Sequence, residues 1–174
     1  MREGTPTPRV VDIAKLAGVS TRSIFQHFDD TEALFAAVAQ KVVQDLLPLA
    51  KPVPPGLSLD QRLELLLSVR VRVNEELLPF RRSMAINESR SPRLVAEFMA
   101  GRELARRRTE DVFRPELAAL SDAERRQTVD TMLAISDWHM WVNLRVHYGM
   151  DVETSAAAMR RLLAALIDHL ARGA

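Results

Sequence analysis

The stretch that decides the fold is residues 10–35, which read VVDIAKLAGVSTRSIFQHFDDTEALF. Ile13 and Leu16 repeat at helical spacing and predict a first helix with one apolar face. Gly18 has no β-carbon and favours a sharp turn directly after that helix. Ser20 is a preferred N-cap residue, so a second helix is expected to begin beyond it. Two helices joined by so short a turn indicate a helix-turn-helix.

The second predicted helix covers residues 21–28. Ile24 and Phe28 stand four residues apart and are expected to pack inward. The polar residues left on the exposed faces are Thr21, Arg22, Ser23, Gln26 and His27. Small polar and basic side chains at the start of a helix suit a DNA groove, because guanidinium groups pair with guanine edges and backbone amides meet phosphates. A simple corner between two helices, with no role in nucleic-acid binding, is the alternative at this point.

The motifs in this stretch resemble the DNA-binding domain of the TetR (tetracycline repressor) family of bacterial regulators. The resemblance rests on Gly4, on V-x-D-I-A at 10–14, on A-G-V-S at 17–20, on I-F-x-H-F at 24–28 and on E-A-L-F at 32–35. It implies that Thr21, Arg22 and Ser23 face bases. It also implies that Phe25, Gln26 and His27 lie along the phosphates, with Ser20 and Thr31 completing the DNA-binding set, and that a helix over 30–47 joins this head to a ligand-binding domain.

Three features depart from the family pattern. Gly4 lies only three residues from Met1, where the family has a further helix; Phe25 replaces a tyrosine, and Thr31 replaces a lysine. Residues 1–50 contain five basic and six acidic residues, whereas affinity for DNA depends largely on neutralised phosphates. Two expectations follow: either a basic leading helix is encoded upstream of Met1, or this head binds DNA weakly.

Composition limits the class of protein. The 174 residues are 47% apolar and 27% charged with a net charge of +1, which favours a globular protein over a disordered one. The sequence contains no cysteine, which excludes disulfides, thiolate metal sites and cysteine nucleophiles. It shows neither a secretory leader nor an apolar run long enough for a membrane, so a cytoplasmic location is predicted.

Helical spacing recurs along the whole chain, which predicts an all-α fold. The predicted helices are 9–17, 21–28, 31–47, 58–78, 92–120 with a kink or split at Pro115, 121–148 and 152–170. The proline-rich segment 51–56 predicts a linker. We therefore predict a helix-turn-helix domain with its connecting helix over 1–50, and a ligand-binding and dimerisation domain over 51–174. Ser121 with Glu124 predicts a capping box, and Gly149 a helix stop.

Methionines, aromatic residues and nearby polar groups in the second domain predict an adaptable pocket for a hydrophobic small molecule. The candidates are Met84, Phe98, Met99, Phe113, Met132, Trp138, His139, Trp141 and Asn143. Ordinary core packing is the alternative for each of them. The resemblance further implies a homodimer through the last two helices.

Catalytic patterns are absent from the sequence, which has six glycines, no phosphate-binding loop and no nucleophile elbow. His139, Asn143 and His147 repeat every four residues, but they lack the carboxylate and the spacing of a zinc helix. No catalytic residue, metal or cofactor is predicted. The run 106–108, three arginines, is expected to form a solvated face that pairs with Glu110 and Asp111.

The sequence thus predicts a TetR-type, ligand-responsive repressor that binds a palindromic operator in double-stranded DNA as a homodimer, with no membrane partner. The main alternative is a helical ligand-binding or interaction protein whose head does not bind DNA. A small helical enzyme using His139 or His147 is a further alternative.

Overall fold

The computed structural model describes residues 20–28, 30, 33–34, 36–37, 40–41, 44, 52–88 and 92–172. Helices account for most of these residues, and no strand occurs among them, which confirms the all-α prediction. The helices are α1 (Thr21–His27), α2 (Leu59–Glu88), α3 (Pro92–Val112), α4 (Arg114–Leu117), α5 (Asp122–Ser136), α6 (Trp138–Val142), a π-helical turn (Asn143–His147) and α7 (Val152–Ala171). The predicted helix over 9–17 lies outside the described residues.

The chain divides into two compact units. The first comprises Met1–Asp45 and Glu75–Gly101, and the second comprises Leu46–Asn74 and Arg102–Ala174. The long helices α2 and α3 each contribute to both units, so a single point along the chain cannot separate them. The predicted boundary at residue 50 accordingly differs from this division, because residues 75–101 belong to the first unit.

The core of the second unit is built from the apolar faces of its helices. α5 contacts α6 and α7, and α7 contacts α4 and the π-helical turn. The side chains with almost no exposed surface are Leu63, Leu66, Val112, Phe113, Val129, Met132, Trp141, Met159 and Leu163. Burial of a side chain of this size stabilises the fold by about 1.5 to 3 kcal/mol.

Helix α2 is longer than the sequence predicted. The expected end at residue 78, directly before Pro79, was wrong, since the helix continues to Glu88. A proline removes its own N–H from the helical ladder and crowds the preceding turn. In a helix of 30 residues the other backbone hydrogen bonds are sufficient to carry it through.

The predicted helix over 121–148 is interrupted at Asp137, so the expectation of one continuous helix was wrong. Asp137 has an extended backbone, and its carboxylate accepts hydrogen bonds from the backbone N–H groups of His139 and Met140 at 2.9 and 3.1 Å. Asp137 is therefore the N-cap of α6, which begins as a new helix. The π-helical turn follows, in which the N–H of Tyr148 donates to the carbonyl of Asn143 at 2.9 Å.

The predicted cap at Ser121 and the predicted stop at Gly149 agree with the structure. Ser121 and Glu124 form the capping box at the start of α5. Gly149 has a φ of 66°, which a glycine adopts without strain, and it separates the π-helical turn from α7. The split between α3 and α4 falls at Phe113, two residues before Pro115. Among the described residues no helix is long and apolar enough to cross a membrane.

Candidate nucleic-acid interface

Helix α1 is fixed at its start by Ser20. The Ser20 hydroxyl accepts a hydrogen bond from the backbone N–H of Ser23 at 3.0 Å, and the Ser20 carbonyl accepts one from the N–H of Ile24 at 3.2 Å. The sequence prediction of an N-cap at this position is therefore confirmed. The cap satisfies one of the backbone donors that the first turn of a helix leaves unpaired.

The side chains of α1 separate into an inner and an outer face. Ile24 retains only 5% of its exposed surface, so it anchors the helix. Arg22, Gln26 and His27 are exposed. Arg22 and Gln26 stand four residues apart and therefore share one face, which presents a guanidinium and an amide together. Both groups are donors suited to base edges and phosphates.

The remaining predicted DNA-binding residues are less fully described. Thr21 and Ser23 are half-buried. The side chain of Phe25 and the whole of Thr31 lie outside the described residues. Phe28, which was expected to pack inward with Ile24, is half-buried and ends α1, with its N–H donating to the carbonyl of Ile24 at 2.9 Å.

Asp30 has a structural role that the sequence analysis missed. Its carboxylate accepts a hydrogen bond from the N–H of Ala33 at 2.7 Å, and its carbonyl accepts one from the N–H of Leu34 at 3.3 Å. An aspartate three residues ahead of the first helical amides is an N-cap signal. The sequence analysis counted Asp30 only as an acidic charge in the head, whereas the structure uses it to begin the helical residues that follow α1.

Comparison with known proteins places this part of the chain. Residues 7–38 match the family model described as "Bacterial regulatory proteins, tetR family". The matched segment carries the DNA-binding part of the tetR family. The match includes all of α1 and the N-cap before it, and it supports transcription regulation through a DNA-binding helix-turn-helix. No curated protein and no solved structure matches the chain significantly.

The predicted effector-binding residues differ widely in exposure. Phe113, Met132 and Trp141 are completely buried in the second unit. In the first unit, Phe98 is half-buried and Met99 is 58% exposed. The three buried residues therefore form part of the second unit's core, while Phe98 and Met99 belong to the other unit. The side chain of Met84 lies outside the described residues.

Two of the other candidates, Trp138 and His139, directly follow the interruption between α5 and α6. Trp138 is half-buried, and its ring centroid is 4.0 Å from that of His139. His139 is exposed, and its Nδ1 lies 3.0 Å from Oδ2 of Asp137. Asn143 is exposed at the start of the π-helical turn. Because the helix is restarted at Asp137, the orientation of these side chains could not be inferred from one uninterrupted helix. Among the described residues no group of three or more His, Cys, Asp or Glu side chains could hold a metal ion.

The sequence analysis also missed three polar residues in the part of α2 that belongs to the second unit. Arg62 and Asn74 are buried, and Nη2 of Arg70 is buried without a hydrogen-bond acceptor. Asn74 donates from Nδ2 to the carbonyl of Ser136 at 3.3 Å. Burial lowers the pKa of Arg70 to about 10, although the charge of Asp137 acts in the opposite direction.

A signal for two of these residues is present in the sequence. The buried stripe of α2 advances by alternate steps of three and four residues through Leu63, Leu67, position 70, position 74 and Leu77. Arg70 and Asn74 stand on this stripe where apolar residues are the usual choice. A polar residue on the apolar face of a predicted helix therefore predicts a hydrogen-bonding or charged group inside the protein.

Arg62 forms the best-defined ion pair of the second unit. Its Nη1 and Nη2 donate to the two carboxylate oxygens of Glu116 at 2.7 and 2.5 Å, and Nη1 also donates to the carbonyl of Val112 at 2.8 Å. Hydrogen bonding to Glu116 raises the pKa of Arg62. Burial alone would raise the pKa of Glu116, but the hydrogen bonds and the charge of Arg62 outweigh burial and lower it.

Proposed function

We propose that this regulator is a ligand-responsive repressor that binds a palindromic operator as a homodimer. The observation that carries the proposal is the helix-turn-helix match at residues 7–38 together with the outward face of α1, which presents Arg22, Gln26 and His27. A capped helix held by a buried isoleucine presents these groups in a fixed orientation, as recognition of base edges requires.

In this proposal α1 is the recognition helix. Thr21, Arg22 and Ser23 in its first turn contact base edges, and Gln26 and His27 in its last turn contact the phosphates. The guanidinium of Arg22 is the group that discriminates most strongly, because it can donate two hydrogen bonds to O6 and N7 of guanine. Two copies of α1 enter successive major grooves about 34 Å apart, as in other dimeric helix-turn-helix proteins.

Dimerisation through the last two helical segments is supported by the apolar surface that they expose. Val146 in the π-helical turn, Tyr148 directly after it and Leu162 in α7 are 39%, 74% and 45% exposed. Large exposed apolar side chains on neighbouring elements favour an interface, and the π-helical turn and α7 are in contact. A second copy of the chain would cover this surface.

The effector in this proposal is a small hydrophobic molecule whose binding lowers operator affinity. Trp138 is half-buried and supplies apolar surface, whereas Met132 and Trp141 are buried on the neighbouring helices of the same unit and would line the site from within the core. For a coupling free energy of about 1 to 3 kcal/mol, effector binding would weaken the operator complex by roughly 5- to 150-fold.

Operator binding can be tested by fluorescence anisotropy. Binding to the intergenic DNA upstream of the gene is compared with binding to a shuffled duplex at two salt concentrations. The protein used includes any residues that in-frame codons upstream of Met1 would add. Preferential, salt-sensitive binding to the intergenic duplex is expected. Equal or absent binding to both duplexes would contradict the proposal and favour a helical ligand-binding protein with an inactive head.

Arg22→Ala tests the role of the recognition helix. If Arg22 reads a base, this variant loses about 1 to 3 kcal/mol of operator binding and part of its preference for the intergenic duplex. Arg126→Ala is the matched control, because Arg126 is an exposed arginine of α5 in the second unit. An unchanged operator preference in Arg22→Ala would remove Arg22 from base recognition.

A further inference from the structure

Two polar residues of α2 act on the point where α5 and α6 are interrupted. Asn74 is 7% exposed, and its Nδ2 donates to the carbonyl of Ser136, the last residue of α5, at 3.3 Å. Arg70 lies one helical turn earlier and is attracted by the charge of Asp137, the residue of the interruption itself. All four residues belong to the second unit. One helix therefore directs two polar groups at a single break in another part of the same unit.

The carbonyl of Ser136 needs a donor because Asp137 takes the usual one away. In an uninterrupted helix this carbonyl would accept a hydrogen bond from the N–H of Met140, four residues further on. In the structure that N–H donates to Oδ1 of Asp137 at 3.1 Å. Ser136 is 1% exposed, so water is a poor substitute for the lost donor. The amide of Asn74 fills this vacancy.

The residues on both sides of Asp137 would also suit a continuous helix. Val129, Leu133, Met140 and Leu144 follow one another at helical spacing across the interruption. Asp137 has an extended backbone, with φ of −81° and ψ of 175°, between two helices. A change of this one ψ angle to about −42° would join the two helices. The choice between an interrupted and a continuous helix is therefore made at one residue by the groups around it.

The interruption determines the direction of two predicted effector-binding residues. Trp138 and His139 are the first two residues of α6, and their ring centroids are 4.0 Å apart. Nδ1 of His139 lies 3.0 Å from Oδ2 of Asp137. Because the backbone turns at Asp137, both rings follow the direction of α6 and not that of α5. We call these two rings the effector surface.

We propose that Asn74 is a positioning residue for the effector surface, because its amide holds the carbonyl of Ser136 and thereby keeps the chain interrupted at Asp137. The proposal rests on the proposed function in one respect, namely that Trp138 contacts the effector. Without a donor at position 74 the buried carbonyl of Ser136 would be left unpaired, which costs free energy. A return of the Met140 N–H to this carbonyl removes that cost, so loss of the Asn74 amide favours one continuous helix.

The backbone of Asp137 can be followed by NMR on the full chain labelled with ¹³C-aspartate. The Cα chemical shift of a residue moves in opposite directions from its random-coil value in extended and in helical backbone. The Asp137 signal is identified by its loss in Asp137→Asn. The wild type should show an extended value, and Asn74→Leu should move it towards the helical one. The measurement needs neither DNA nor an effector, so a negative result would leave the proposed regulator untouched.

Matched variants separate the amide donor from the volume of the side chain. Asn74→Asp keeps the shape and removes the donor, and Arg70 can pair with the new carboxylate, which favours a folded protein. It should show the same helical displacement as Asn74→Leu, and it carries the test alone if Asn74→Leu does not fold. Asn74→Gln, which keeps an amide donor, and Leu67→Val, which changes a buried apolar residue of α2, should keep the extended value. An extended Asp137 in a folded donor-free variant, or an equal displacement in either control, would overturn the proposal.

The position of Trp138 is measured separately by ¹⁹F NMR after labelling with 5-fluorotryptophan. The chain has two tryptophans, and the Trp138 signal is the one lost in Trp138→Phe. This signal should shift in Asn74→Asp and stay in place in Asn74→Gln, because only the first variant lacks the donor. If Asp137 became helical while the Trp138 signal stayed unchanged, Asn74 would set the backbone without positioning the effector surface, and the proposal would be overturned.

Discussion

In α1 the polar side chains of Arg22, Gln26 and His27 face solvent, whereas in α2 the polar groups of Arg62, Arg70 and Asn74 reach into the protein. The exposed groups of α1 contribute little to stability and are available to a partner. The inward groups of α2 must be satisfied within the protein, and their contribution depends on whether a partner is present. Exposure therefore separates residues that a binding partner can reach from residues that affect the free energy of unfolding.

The largest expected effect in this comparison is the loss of Glu116. Glu116→Ala leaves Arg62 buried without its carboxylate and should lower the free energy of unfolding by about 3 to 5 kcal/mol. Urea denaturation monitored by circular dichroism measures this change. The control is Glu103→Ala, which breaks the exposed pair with Arg107 and should cost about 0 to 1 kcal/mol. Similar losses in the two variants would mean that burial does not distinguish the pairs.

The same ion pair predicts how stability depends on pH. The pKa of Glu116 is lower in the folded protein than in the unfolded chain. The stability that Glu116 contributes is therefore fully present at pH values above its unfolded pKa, about 4.3. This stability is lost as the pH falls through the lowered pKa of Glu116 in the folded protein. Urea denaturation between pH 7 and pH 3 should therefore show a steeper loss of stability in the wild type than in Glu116→Gln. If the free energy of unfolding fell equally steeply with pH in the wild type and in Glu116→Gln, the ionised Glu116 would not be stabilised by its pairing with Arg62.

Arg70 provides a contrast with Arg62 in the same helix. Because Nη2 of Arg70 is buried without an acceptor, Arg70→Met should leave the free energy of unfolding unchanged or raise it by up to about 2 kcal/mol. Urea denaturation beside Glu116→Ala makes the comparison direct. A loss of more than about 1 kcal/mol would show that the attraction between Arg70 and Asp137 outweighs the cost of burial.

The smallest effect concerns the start of α1. Ser20→Ala removes the acceptor for the N–H of Ser23 and should destabilise α1 by about 1 kcal/mol. Amide hydrogen exchange at Ser23 should accelerate by roughly fivefold, which corresponds to this free energy. Ser20→Asp, which restores an acceptor at the cap, is the matched control. Unchanged exchange in Ser20→Ala would show that the cap does not limit opening of this turn.

The sequence predicted the local features of the fold well, because each depends on a few neighbouring residues. The cap at Ser20, the capping box at Ser121 and the stop at Gly149 each follow from the chemistry of one or two side chains. The interruption at Asp137 was missed, although Asp137 also acts as a cap, because the apolar spacing continues across it. The end of α2 was missed because Pro79 was given more weight than the helix around it.

The residues of the candidate interface could be predicted because they belong to a short motif. Contacts between residues that are distant in sequence could not be predicted. The residues of α1 follow from a short motif and its family resemblance. The pairing of Arg62 with Glu116 spans 54 positions, and the pairing of Arg106 with Asp130 joins α3 to α5. Neither relation has a signature in the local spacing of residues.

The π-helical turn at Asn143–His147 changes the direction in which the side chains after it point around the helix axis. Closing a hydrogen bond over five residues instead of four places one extra residue in that turn, which corresponds to a rotation of about 100°. Everything beyond the turn, beginning with the exposed Tyr148, is therefore rotated relative to a continuous α-helix. Deletion of a single residue within the turn would reset this phase and turn the Tyr148 surface away from its present direction. The dimer geometry proposed for this regulator would then depend on the length of one helical turn as much as on the residues that form the interface.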